Sequence, residues 1–123
     1  MHGRVDLFGL DWLLSKGNVT LDQLNARQSI TGSEDYEHLG WRLLVLPNNR
    51  IFISSPQGSY ERGRIWEWIL MTGALSEVGR GASPKGRFGA TLLGHATGLL
   101  VVSSPYATVD GVTRCGQVNL VMV

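Results

Sequence analysis

The residues with the chemistry for catalysis or metal binding are few. They are three histidines, His2, His38 and His95, one cysteine, Cys115, and two serine pairs, Ser54-Ser55 and Ser103-Ser104. A serine nucleophile needs a general base within reach and an acid to orient that base. Here each pair is followed by proline and the whole triplet recurs, as Ser54-Ser55-Pro56 and Ser103-Ser104-Pro105. Structural motifs repeat and active sites rarely do, so the pairs read as structural. No two histidines stand at ligand spacing and no carboxylate pair accompanies them, so they read as loop histidines and not as a zinc site. A lone cysteine makes no internal disulfide and no cysteine-based metal centre. It is expected either to be buried as a small apolar side chain or to pair outside this sequence. No catalytic residue, metal ligand or cofactor-binding residue is assigned, and no cofactor is expected.

Two charged stretches remain. Glu34-Asp35-Tyr36-Glu37 is an acidic turn, read as a solvated loop. Arg80, Lys85 and Arg87 form a basic loop with Gly and Pro. It could touch a phosphorylated glycan or lipid headgroup, although loop charges commonly only face water. Trp12, Trp41, Trp66 and Trp68 lie in or beside apolar runs and are expected to pack in the core.

The elements that must position these residues follow from composition and repetition. The chain has 123 residues, 43% of them hydrophobic, and a formal net charge of +1. That is enough for one domain with a core, and it gives no electrostatic case for nucleic acid or an anionic membrane. The longest apolar run, Leu99 to Val102, is far short of the ~20 residues of a transmembrane helix. Met1-His2-Gly3-Arg4 has no apolar h-region and does not read as a signal peptide. Sixteen glycines imply many tight turns.

Sliding the chain by 49 residues brings Ser54-Ser55-Pro56 onto Ser103-Ser104-Pro105, Leu39-Gly40 onto Phe88-Gly89 and Gly32 onto Gly81. Beyond the Ser-Ser-Pro the second copy is four residues longer, Gly63 to Trp68 then matching Gly116 to Val121. The same phrase opens the chain as Gly3 to Phe8. Each unit reads as four short strands. First strands are Trp41 to Leu46 and Ala90 to Leu93, and second strands are Arg50 to Ser54 and Leu99 to Ser103. Third strands follow Gly63 and Gly116, and weaker fourth strands lie near Ser29 to Thr31 and Val78 to Arg80. The runs are apolar with little alternation, the pattern of strands covered on both faces. Leu21 to Ala26 reads as a helical insertion. Strands at this spacing predict an all-β fold, a partial β-propeller of four-stranded antiparallel blades. The divisions are 1–38 for the end of one blade with a loop insertion, 39–87 for a complete blade, and 88–123 for three strands of a last blade. The proline ends a buried strand because it cannot continue the ladder.

At these residues the sequence resembles the FG-GAP repeat of integrin α chains and of glycosylphosphatidylinositol (GPI)-specific phospholipase D. Phe88-Gly89 stands for the family's Phe-Gly, with Leu39-Gly40 as its variant. Ser54-Ser55-Pro56 and Ser103-Ser104-Pro105 stand for Gly-Ala-Pro, and Gly63 to Trp68 and Gly116 to Val121 look like its Gly-x-Val-Tyr-Val-Phe strand. Ile30 to Trp41 looks like the blade junctions of the phospholipase. The resemblance implies a secreted, non-catalytic propeller segment of a phospholipase D-like protein that hydrolyses GPI anchors. Its partners would be the remaining blades, a catalytic region and GPI-anchored proteins. The alternative is an integrin α-like adhesion or protein-interaction propeller. Asn18-Val19-Thr20 is an N-glycosylation sequon and agrees with the secreted setting. The family's calcium loops have no counterpart here. Leu46-Pro47-Asn48-Asn49 and Gly94 to Gly98 lack carboxylates, and no calcium is expected in them. Propellers close with ~4–8 blades, so the chain is expected to be part of a larger protein, with apolar surface showing on its outer blades.

Overall fold

The computed structural model of the chain describes residues 2–7, 28–33 and 37–123. The expected helix at Leu21 to Ala26, the Asn18 sequon, Trp12 and most of the acidic turn lie outside them. Among the described residues, nine strands form three antiparallel sheets in chain order. The first sheet pairs β1 (Arg4–Leu7) with β2 (Gln28–Thr31). The second is a four-stranded meander of β3 (Leu43–Leu46), β4 (Arg50–Ser55), β5 (Arg64–Ile69) and β6 (Ala74–Arg80). The third contains β7 (Leu92–Gly94), β8 (Leu99–Ser104) and β9 (Gln117–Met122).

The central sheet is covered on both faces, because successive side chains of a strand point to opposite sides. Ile53 and Trp68 pack with Val5 and Leu39 against the first sheet. Phe52, Ile65 and Leu46 pack with Phe88, Leu92, Leu100 and Val102 against the third. In β4, Phe52, Ile53, Ser54 and Ser55 are all buried. That burial of neighbours on both faces explains an apolar strand without alternation.

The same sequence pattern in the outer strands meets a different fate. Burial along β8 alternates, with Leu100 and Val102 fully inward and Leu99 and Val101 half-buried. On β9, Val118, Leu120 and Met122 are about 68% exposed. Only one face of the third sheet is covered, so burial on both faces fails there. Leu43 and Val45 on β3 are also exposed, and among the described residues the first sheet has two strands against the four of the second. Trp41 also departs from expectation. The strand starts at Leu43, and Trp41 sits in a turn where its N–H returns to the His38 carbonyl. It is exposed and stacked on the His38 ring, outside the core.

Glycine is obligatory where a strand leaves the stack. Gly63 has φ +87° and a β-carbon on it would stand 2.0 Å from the Phe88 carbonyl oxygen. Gly3 has φ +84° and the same relation, at 2.2 Å, to the Leu39 carbonyl oxygen. Gly111 shares the left-handed backbone, φ +78°, but has open space around it. Gly111→Ala is therefore expected to cost about 1 kcal/mol, for backbone strain alone. Gly63→Ala adds a collision with rigid backbone and is expected to cost at least ~3 kcal/mol. Urea unfolding of both variants checks the ranking.

Two carboxylates sit below their ordinary range. Glu67 is held there by bonds from the Arg50 guanidinium, Nε at 2.9 Å and Nη2 at 2.9 Å. Asp6 is held there by the Ser29 hydroxyl at 2.6 Å and then by Arg4. Their contribution is complete above the ordinary carboxylate value of about 4 and is lost as pH falls through the lowered native values. Glu67→Gln is expected to flatten the acid limb of a stability-against-pH curve, measured by urea midpoints from neutral pH downward.

Candidate functional site

The loops gather at two ends of the sheets. At one end lie the short β3–β4 and β7–β8 turns. Pro47–Asn49 forms a single 3-10 turn, and His95 Nδ1 bonds the Thr97 hydroxyl at 3.0 Å within the other. At the opposite end lie the Ser-Ser-Pro segments and the segments that pass between sheets.

The serine pairs are placed by strand geometry, not by a site. Ser54 and Ser55 are fully buried and Ser104 nearly so. Ser54 Oγ accepts from the Arg42 backbone N–H at 3.0 Å. Ser55 Oγ accepts from the Trp66 indole N–H at 3.0 Å, and Ser104 Oγ accepts from the Asn119 amide at 3.2 Å. The two copies make the same bond with different donors. A hydroxyl so buried and so committed is closed to substrate.

The Leu-Gly and Phe-Gly pairs each bridge two sheets. Leu39 N–H donates to the His2 carbonyl at 3.0 Å and Gly40 N–H to the Ser54 carbonyl at 3.0 Å. Phe88 N–H donates to Arg62 at 2.9 Å and Gly89 N–H to Ser103 at 3.0 Å. Gly40 and Gly89 have φ +94° and +99°. Gly32 and Gly81 likewise donate to the Gly3 and Gly63 carbonyls, at 2.9 and 3.0 Å.

Outside this framework, two of the clefts at the same end share lining residues. One of about 270 Å³ is lined by His38, Trp41, Pro56, Gln57, Arg87 and Tyr106. Most of these are repeat partners, for His38 aligns with Arg87 and Gln57 with Tyr106. The other, about 460 Å³, is lined by Lys85, Arg87, Tyr106, Arg114 and two threonines. Arg87 and Tyr106 are common to both. The extra residues of the longer second loop build this wall. Val109 and Val112 exchange backbone bonds of 3.1 and 2.9 Å across Asp110-Gly111, both with positive φ. This is a tight hairpin turn of the Asp-Gly kind. Asp-Gly was the signal available for it, and sequence reasoning passed over Tyr106 and Arg114. Cys115 follows the hairpin and is exposed, so its expected burial as a small apolar residue is corrected. The hairpin turns it away from the core.

Of the histidines, His38 lines the first cleft, His95 lies at the other end and His2 beside the first sheet. Among the described residues no three His, Cys, Asp or Glu side chains gather at metal-ligand distance. No helix among them is long and apolar enough to cross a membrane. No protein-family model matches the chain, and neither a curated protein nor a solved structure does.

The buried serines yield a test. Ser55→Ala leaves the Trp66 indole N–H without its acceptor and is expected to cost about 1–2 kcal/mol. Chemical denaturation followed by tryptophan fluorescence measures it. A neutral result would remove Ser55 from the framework.

Proposed function

We propose that the chain is a non-catalytic segment of an FG-GAP-type β-propeller in a secreted phospholipase D-like protein that acts on GPI anchors. Its role there is to support the catalytic region and present substrate to it. The observation that carries the propeller part is the repeated bridge between sheets. Leu39-Gly40 and Phe88-Gly89, 49 residues apart, donate to equivalent carbonyls of successive sheets. A unit that bonds to its successor in the same way each time is built to be stacked. The phospholipase part rests on the sequence motifs alone.

The uncovered faces support the stacking. In the register of the repeat, Ile65 corresponds to Val118 and Phe52 to Val101. Ile65 and Phe52 are buried against the third sheet, whereas Val118 is 68% exposed. The outer face of the third sheet thus has the composition of a covered face without a cover. Beside β9, with which no fourth strand pairs among the described residues, a cleft of about 280 Å³ opens against β6. An apolar face and an unpaired edge both invite another sheet.

The chain by itself is expected to self-associate in sedimentation velocity, and Leu120→Lys is expected to reduce that association with the circular dichroism of the strands retained. A strictly monomeric sample with one sharp thermal transition would overturn the stacking proposal. In a parallel assay with zinc and calcium, the chain is expected to release no GPI-anchored protein from membranes. Release that disappears on changing His38 or His95 would overturn the non-catalytic assignment.

A further inference from the structure

We propose that the groove between the β6–β7 and β8–β9 loops binds a phosphate monoester dianion. The groove holds about 460 Å³ and is lined by Lys85, Arg87 and Arg114 together with Thr108 and Thr113. Glu61 is the one carboxylate of its lining among the described residues, and it stands 3.6 Å from Arg87. Three cations against one anion leave the lining two positive charges in excess. Among the described residues neither Lys85 nor Arg114 has a carboxylate partner. Elsewhere Arg4, Arg50 and Arg80 each pair with an acid, and Arg42 and Arg62 bond the Ala90 and Ala82 carbonyls instead.

Two of the three cations are oriented by one ring. The Arg87 and Arg114 guanidiniums lie over the Tyr106 ring, 5.2 and 4.9 Å from its centre. Stacking of this kind orients the fork of donors. The loops that carry them are joined backbone to backbone. Tyr106 N–H donates to the Gly86 carbonyl at 3.2 Å and Thr108 N–H to the Ser83 hydroxyl at 2.9 Å. Lys85, Arg87 and Arg114 all have left-handed backbone, with φ of 61°, 58° and 54°. Side-chain-bearing residues avoid that region, and where they are kept in it the constraint commonly belongs to a site.

The donor set selects the ligand. Two planar forks, an ammonium and two hydroxyls offer more than a carboxylate's two oxygens can accept. A phosphate monoester presents three terminal oxygens and a charge of about −1.5 to −2 at pH 7, which matches the excess of the lining. The same chemistry comes from a soluble ester or from a lipid headgroup. This site does not depend on the propeller proposal.

Calorimetric titration of the full chain with inorganic phosphate and with a hexose 6-phosphate tests the soluble source. Cosedimentation with phosphatidylcholine vesicles, with and without phosphatidic acid, tests the lipid source. Arg114→Gln and Lys85→Gln, which break no ion pair, are each expected to weaken binding about tenfold or more. Arg4→Gln on β1, with the same change in net charge, is expected to leave it unchanged. Arg114-dependent binding in either arm supports the site and names the source. Absence of binding in both arms, or equal weakening by Arg4→Gln, would overturn it.

Discussion

The stack of sheets depends on two adjacent backbone N–H groups that point in opposite directions. Leu39-Gly40 and Phe88-Gly89 each lie in a turn, and their successive amides reach different sheets. A segment caught between two sheets can therefore donate one bond to each. Leu39 and Gly40 do this for the first and second sheets, and Phe88 and Gly89 for the second and third. The leading residue also supplies a large buried side chain, Leu39 in one core and Phe88 in the other. The following glycine takes φ near +95°, turning the chain into the next sheet. A β-carbon on Gly89 would press to 3.0 Å on the Ser54 side chain and 3.1 Å on Ile65. This couples the junction to the Ser-Ser-Pro segment. The serines must be small, and their hydroxyls must be satisfied locally, because they are buried.

This constraint explains why the framework was legible in the sequence and the end loops were not. The strands recur at a fixed offset because the junction demands Gly at fixed places, and a demand on backbone conformation leaves a mark in residue type. The second and third strands lie within a residue or two of their expected limits, Arg50–Ser55 against Arg50 to Ser54, for example. The fourth strand of the central sheet is longer than expected, Ala74–Arg80 against Val78 to Arg80. Its leading residues are exposed and carry no apolar signal. Trp41 was misplaced because residue type alone cannot distinguish a core tryptophan from one stacked on a neighbouring loop ring. The cluster around Tyr106 joins three loops that are distant in sequence. No local spacing reports such a meeting.

Burial likewise depends on neighbours that a strand's own residues do not specify. β4 and β8 read almost alike, yet β4 is enclosed on both faces and β8 on one. What differs is the number of sheets beside them. A fully exposed Val or Leu forgoes about 1.5–3 kcal/mol relative to burial, so the two-thirds-exposed row formed by Leu93, Val118, Leu120 and Met122 forgoes a sizeable share of a domain's total stability of about 5–15 kcal/mol.

The distribution of backbone strain follows from the same architecture. Nine residues other than glycine have positive φ among those described, and Asn49 alone of them lies at the end with the short turns. The other eight, His38, Ser59, Tyr60, Glu61, Lys85, Arg87, Asp110 and Arg114, lie at the Ser-Ser-Pro end. Left-handed backbone costs roughly 1–2 kcal/mol per residue with a side chain. Packing does not repay it there, for Tyr60 is 91% exposed. The loops tolerate it because their ends are fixed. Gly63 N–H bonds the Gly58 carbonyl at 3.0 Å, Arg87 N–H the Glu61 carbonyl at 2.9 Å, and Gly116 N–H the Ala107 carbonyl at 3.2 Å. The first and last of these bonds close a loop on itself and the second ties two loops together, which leaves the residues between them a tight span that the left-handed turn satisfies. The core thus supports a strained, cation-bearing rim at one end of the stack.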